Sequence, residues 1–264
     1  KASEQKGKIK AWAFPEGCKV DPLTGVILIE KGMETASTKN SIWDSNSGTV
    51  RLAVARGEIA SFQIALESMT GSAEGIKLEI SGLKGLQTKQ WRTWFVNTKE
   101  KWQAEYAIPI KANEKLAIPA VDNKIPEQKV AVIAVDVVIP GNATAGSQVG
   151  LLTISTSDGD IKLNLKLDIF KAVIPDEIHF NPELNDYGWP GEVGSTTYFD
   201  YYRLAHYHRC TINTVPYNQS GRADSTRVPS IQADGKVKDW SVYDKGVGPL
   251  LDGSAFKDNP RSGI

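Results

Sequence analysis

Residues 178–221 constrain this chain more than any other stretch. They read IHFNPELNDYGWPGEVGSTTYFDYYRLAHYHRCTINTVPYNQSG, a pattern that predicts strand, loop, helix, strand, loop. Ile178, Phe180 and Leu184 form a short apolar run broken by Pro182, and Gly188, Pro190, Gly191 and Gly194 mark the next loop. Thr197 and Asp200 have the spacing of a capping box, in which a hydroxyl and a carboxylate take up amides left unpaired at a helix start. Tyr198, Tyr201, Tyr202 and Ala205 recur at three- and four-residue steps, as one helix face requires. Residues 210–217 (CTINTVPY) are β-branched and largely apolar, which suits a buried strand. Two strands joined through a helix run parallel, take a right-handed crossover and need a sheet covered on both faces.

Upstream the pattern is different. From residue 9 to about residue 169, short apolar runs alternate with turn residues and no long helical period appears. Strands are predicted at 9–14, 26–30, 49–55, 59–68, 76–81, 90–96, 130–139, 149–155 and 161–170. The clearest is GEIASFQIALES, where Ile59, Phe62, Ile64 and Leu66 mostly alternate with smaller or polar residues. LLTISTSDGDIKLNLKLDIF reads as a hairpin with Asp158-Gly159 in its turn. Strands at this spacing predict an antiparallel β-sandwich over residues 1–172. Lys171 to Asp176 (KAVIPD) joins the two regimes, with Pro175 ending the last sandwich strand. The expected architecture is multidomain, β then α/β.

The second regime is too short for the fold it begins. A (β/α)8 barrel takes about 250 residues, and about 90 come after Pro175. Two parallel strands and one helix leave sheet edges unpaired and a face uncovered. Residues 173–264 therefore read as the beginning of a (β/α)8, TIM-like barrel. The remainder of the same protein, or another chain, is expected to complete it. Within this part a small hairpin is predicted at 232–240 around Asp234-Gly235, and a short helix at 243–251.

Composition excludes several partners. Lysine plus arginine equals aspartate plus glutamate at 31 each, so net charge offers no attraction for nucleic acid or an anionic membrane. No run of about 18 apolar residues is present to span a bilayer. The chain starts at Lys1 without an apolar signal core, which fits either a processed secreted protein or an excised piece. Three histidines and two cysteines occur with no CxxC or HExxH spacing, so no metal and no cofactor is expected. Cys18 and Cys210 are either two buried free thiols or one bridge.

In a βα-barrel, ligands meet the C-terminal ends of the strands. Glu183, Asn185, Asp186 and Tyr187, with Trp189 behind them, come after the first strand; Tyr217, Asn218, Gln219, Ser220 and Arg222 come after the second. Carboxylates, carboxamides and aromatic rings together suit a neutral polyhydroxylated ligand, because amides and acids bond hydroxyls while rings stack on a sugar face. A plainer reading stands beside this one: Asn185-Asp186 as an Asx turn and residues 218–221 as a tight loop. Glu183 could be half of a glycosidase carboxylate pair. Asp186 is too close in sequence to be its partner, and Asp252 also reads as a turn residue. His206, His208 and Arg209 fall at a helix end, where cations meet free carbonyls. No GxSxG supports a serine nucleophile. Trp91, Trp94, Phe95, Trp102 and Tyr106 cluster in the β region, either as a sugar-stacking platform or as core packing.

The segments GEIASFQIALES, AVIAVDVVIPGNATAGSQVGLLTIS and LKLDIFKAVIPD, in that order, resemble the sandwich domain that precedes the barrel in glycoside hydrolase family 123 and its uncharacterised relatives. YYRLAHYHRCTINTVPYNQSG, with YDKGVGPLLDGSAF after it, resembles the first part of that barrel. The resemblance implies a secreted or cell-surface protein, in the extracellular space or the periplasm, acting on carbohydrate. Family members are retaining N-acetylgalactosaminidases whose nucleophile is the substrate's own acetamido group. An aspartate orients it beside a glutamate acid/base, on a later barrel strand. Asp176-Glu177 lies before the first strand and does not take that role. By the resemblance, Glu183, Asn185, Tyr187, Tyr217, Asn218 and Gln219 would line a sugar subsite, and these residues alone would be inactive. The rival expectations are a non-catalytic carbohydrate-binding protein and a cell-surface structural or assembly protein.

Overall fold

The computed structural model describes residues 8–28, 35–99, 101–177, 179–185, 191–215, 217–223 and 227–257. The chain divides into two compact units, Lys1–Ile174 and Pro175–Ile264.

The first unit is β-rich. Its strands are β1 (Ile9–Pro15), β2 (Trp43–Asp44), β3 (Thr49–Arg56), β4 (Ile59–Ser68), β5 (Ala73–Ser81), β6 (Gln87–Asn97), β7 (Trp102–Pro109), β8 (Leu116–Ile118), β9 (Val130–Val138), β10 (Gly146–Thr156) and β11 (Gly159–Val173). They form a five-stranded sheet in the order β1-β4-β9-β6-β7 and a six-stranded sheet in the order β2-β3-β11-β10-β5-β8. Side chains from both sheets build one hydrophobic core. The alternation in β4 decides its facing: Phe62, Ile64 and Leu66 are buried and stand opposite Val135, Ile133 and Ala131 of β9. Leu163, Leu165 and Leu167 do the same for β11, beside Leu152 and Ile154 of β10. Burying one such side chain contributes roughly 1.5–3 kcal/mol.

The expected all-antiparallel sandwich is corrected at one place. β3 and β11 pair parallel, with Thr49 opposite Asn164 and Val54 opposite Ile169. β3 passes directly to β4 in the other sheet, so its place beside β11 is filled more than 100 residues later, and no tight turn dictates direction. The β10–β11 turn consists of Ser157-Asp158 rather than Asp158-Gly159. Gly159, at φ +119°, already pairs with Thr156. The strand expected at 26–30 reduces to one bridge, Val20 to Ile27, over its described part.

The second unit contains β12 (Glu183–Leu184), α1 (Thr196–Tyr207), β13 (Thr211–Ile212), β14 (Ser230–Ile231), β15 (Val237–Asp239) and α2 (Ser241–Leu251), then a 3-10 turn at Ser254–Phe256. β12 and β13 pair parallel across α1, so the strand–helix–strand connection is present. Both strands are far shorter than predicted. β14 and β15 make the small antiparallel hairpin, turned at Gly235 with φ +83°. α1 starts from Ser195, whose hydroxyl accepts the Tyr198 amide at 3.2 Å. The Thr197–Asp200 capping box is corrected accordingly: both residues lie inside the helix, and Asp200 pairs with Arg203 at 2.9 Å. The buried face is Tyr198, Tyr202, Ala205 and His206, while Tyr201 is 49% exposed. His206 stacks on Phe256 with ring centres 4.0 Å apart. It is buried, 1% exposed, so it does not stand on the surface of the helix end. Arg209, at φ +59°, comes after the C-cap His208 and donates to the Pro175 carbonyl at 2.8 Å.

Candidate functional site

The candidate site in the second unit is set by the parallel pair. Parallel strands finish at the same end, so the segments leaving β12 and β13 emerge together. The register is Glu183 opposite Thr211 and Leu184 opposite Ile212, and the Asn213 amide donates to the Leu184 carbonyl at 3.2 Å. Asn185 and Asn213 are thus the next residues along two hydrogen-bonded strands. Glu183 and Asn185 are exposed. Tyr187, Asp186 and Trp189 lie outside the described residues.

Sequence alone does not single out Asn213 as a site residue. It is a buried carboxamide at the end of β13, and its Nδ2 donates to the Val215 carbonyl at 3.3 Å. Its own carbonyl accepts the Tyr202 hydroxyl at 3.2 Å. That bond ties the end of β13 to the buried face of α1. The signal available in the sequence is a carboxamide inside a β-branched run, where a buried polar group needs a specific partner.

The second loop closes on itself. Tyr217 bridges Ala223, and the Asn218 amide donates to the Arg222 carbonyl at 3.0 Å. Asn218 Oδ1 accepts the amides of Ser220 at 3.0 Å and Arg222 at 3.1 Å. Here the plainer reading holds for Asn218: its side chain builds an Asx turn. That turn places Gln219 and Ser220 at an exposed tip, with Tyr217 at its base. Among the described residues 183–185 and 217–223, Glu183 is the one carboxylate.

Asp252 is engaged as the capping residue of α2. It accepts the Ser254 amide at 2.8 Å. That bond, then the Ser254 hydroxyl, holds its carboxyl below the usual range, so it stays ionised and has no proton to give at neutral pH. Cys18 and Cys210 are two thiols rather than one bridge, Cys18 buried and Cys210 half-buried. Among the described residues no cluster of three His, Cys, Asp or Glu is placed to hold a metal ion, and no helix is long and apolar enough to cross a membrane.

The fold has a counterpart among solved structures. A family 123 glycoside hydrolase from Clostridium perfringens, studied for glycolipid glycan hydrolysis, is similar with a TM-score of 0.56 and 14% identity. The match covers 94% of this chain and 46% of the hydrolase, so the chain spans about half the length of that enzyme. At this identity the likeness is one of fold. A FixG-related protein from Vibrio parahaemolyticus matches with a TM-score of 0.26 and 8% identity, over 62% of this chain and 97% of its own. The SrpA adhesin of Streptococcus sanguinis, as its R347E mutant, matches with a TM-score of 0.25 and 14% identity, over 72% and 94%. Scores that low carry no argument. No protein-family model matches the chain. No curated protein matches it in sequence.

Proposed function

We propose that the chain is the sandwich and barrel-opening part of a secreted or cell-surface, glycoside-hydrolase-like protein, and that the ends of β12 and β13 line a sugar subsite. The observation carrying this reading is the parallel pairing of β12 and β13, which sets Glu183 and Asn185 beside the strand end leading to Tyr217 and Gln219. The fold shared with the Clostridium hydrolase supports it. In this reading the exposed Glu183 carboxylate and the Asn185 and Gln219 carboxamides bond sugar hydroxyls, and the Tyr217 ring covers an apolar sugar face. Asn218 acts by holding the loop.

Hydrolysis with either stereochemical outcome ordinarily requires two carboxyl groups flanking the bond. With Glu183 the one carboxylate among residues 183–185 and 217–223, these residues bind rather than cleave in this reading, and the catalytic acids belong to another part of the protein. The same observation gives a non-catalytic sugar binder its standing as second reading. The test is titration of the chain with N-acetylgalactosamine and its β-linked oligosaccharides, read by heteronuclear NMR. Shifts centred on residues 183–185 and 217–220 are expected, with Glu183→Gln weakening binding by about tenfold, as for loss of one charge-assisted hydrogen bond. Shifts that leave both loops untouched would overturn the subsite. Release of sugar by this chain alone would overturn the division between binding and cleavage.

A further inference from the structure

We infer that the free edge of β7 is a self-complementary docking strand, and that its partner is β7 of a second copy of this chain, joined antiparallel across a two-fold axis between Glu105 and Tyr106.

β7 is the last strand of the five-stranded sheet and pairs with β6 alone. Among the described residues no backbone hydrogen bond takes up its other side. The remaining sheet edges offer less. β2 and β8 have two and three residues, and on β1 the Ala13 carbonyl is taken by Asn40 Nδ2 at 2.8 Å. An open edge of eight residues carries a row of donors and acceptors ready for another strand.

Which groups face outward follows from the β6–β7 ladder. At one end the Ile110 amide donates to the Gln90 carbonyl at 3.1 Å, and at the other the Thr98 amide donates to the Lys101 carbonyl at 3.0 Å. Residues bonded inward alternate with residues whose backbone groups point out. Counting back from Ile110, Ile108 and Tyr106 face β6, while Pro109 and Ala107 face out. Counting on from Lys101, Gln103 faces β6, while Trp102 and Ala104 face out. The two counts are out of phase by a single residue. Tyr106 opposes Trp94 and Ala104 opposes Phe95, so Glu105 is the extra residue of a β-bulge.

The outward positions are thus 102, 104, 107 and 109, and they read the same from either end. An antiparallel second copy sets Trp102 against Pro109 and Ala104 against Ala107, on both sides of the axis. Every outward amide then meets a carbonyl: Trp102 that of Pro109, Ala104 that of Ala107, and Ala107 that of Ala104. Pro109, with no amide to give, contributes its carbonyl.

The bulge also selects the partner. A regular strand presents its groups at every second residue, so it can follow this edge on one side of Glu105 and not the other. A second copy carries the same bulge at the axis and follows the edge on both sides. This is the closed, isologous contact of a two-fold dimer. Of the aromatics clustered in the sequence, Phe95 is buried and Trp91, Trp94 and Trp102 are half-buried, whereas Tyr106 is 64% exposed and stands at the axis. Tyrosine is enriched at such interfaces. The two Glu105 carboxylates that approach there are each answered by Lys19 of their own chain, at 3.3 Å.

The test is sedimentation equilibrium of the whole chain from about 10 μM to about 1 mM, where a contact of this size should assemble. Two chains per particle are expected at the upper end. Ala107→Pro removes an outward amide that takes no part in the β6 ladder, and it should weaken association at least about tenfold with an unchanged circular dichroism spectrum. The register is read by cross-linking Gln103→Cys chains with Ile108→Cys chains, each also carrying Cys210→Ser. Residues 103 and 108 of the two copies form a non-hydrogen-bonded pair with Cα atoms about 4.5 Å apart, within disulfide reach. Under mild oxidation the mixture should cross-link, and either variant by itself should not. One chain per particle at the highest concentration, indifference to Ala107→Pro, cross-linking of either variant alone as fast as the mixture, or equal occupation of the edge by an unrelated regular β-strand peptide would each overturn the assignment. The cross-link decides the register even where Ala107→Pro disturbs folding.

Discussion

Among single residues, Tyr198 has the most informative surroundings. Its ring lies in the core of the second unit and its hydroxyl donates to the Gly246 carbonyl at 3.3 Å. Burial raises its pKa above the usual value near 10, with partial relief from the Tyr202 hydroxyl and the charge of Arg227. Below that value both folded and unfolded chains keep the phenol proton, and the group adds no pH dependence. Above it the unfolded chain sheds the proton while the folded chain holds it, so the second unit loses stability as pH rises. Thermal melts of the second unit between about pH 9 and pH 11 should show this decline, and Tyr198→Phe should flatten it. Loss of the hydrogen bond in that variant costs about 1 kcal/mol at neutral pH. An identical alkaline decline in the two proteins would reject the assignment. Gly246 belongs to the same contact. A Cβ there would lie 2.6 Å from Val193 Cγ1 and 3.1 Å from the Tyr198 hydroxyl, so Gly246→Ala should destabilise this core despite its higher helix propensity.

At the scale of elements, β4 and α1 rest on different kinds of interaction. β4 is held on both sides, by β1 and β9, with Phe62 fully buried. Phe62→Ala should cost about 3–5 kcal/mol in denaturant unfolding of the first unit, since the core closes only partly over the space. α1 depends more on its ends. Ser195→Ala removes the acceptor for the Tyr198 amide and should cost about 1 kcal/mol, while Thr197→Ala, inside the helix, should cost little. A larger loss from Thr197→Ala would return the cap to the residue the spacing favours. These elements also mark what the sequence makes legible. β4 can be read because strict alternation on a half-buried face leaves one register. β7 cannot: it is an edge strand with no buried residue, so no apolar face announces it. β13 reads as eight residues in the sequence and is two in the structure, because a β-branched run extends only as far as it finds a partner. β12 supplies two residues. In the candidate site the exposed polar residues after each strand are legible, whereas Asn213 is not, since its importance comes from the Tyr202 hydroxyl reaching across from α1.

Across the whole molecule the two units differ in how much apolar surface they enclose. The first buries a continuous core drawn from both of its sheets. The second has a small core of Tyr198, Tyr202, Ala205, Ile212, Leu250, Ala255 and Phe256. Around that core Phe180 is 82% exposed, Leu204 60% and Trp240 50%. In the barrel reading proposed above, these exposed apolar groups are ones that further strands and helices would cover. Local stability tracks buried contact, so amide exchange should separate the units. In the intact chain, amides of β4, β9 and β10 are expected to exchange only through global opening of the first unit. Those of β12 and β13, with two residues each, should exchange orders of magnitude faster. If the proposed barrel holds, completing the parallel sheet in a longer protein would slow the second set and leave the first unchanged, because added strands would pair with β12 and β13. Mass-spectrometric exchange on the two lengths of chain reads both quantities together. Equal protection of β12–β13 and β4–β9 in the present chain would mean that the second unit is already a finished fold, and the barrel proposal would have to be withdrawn.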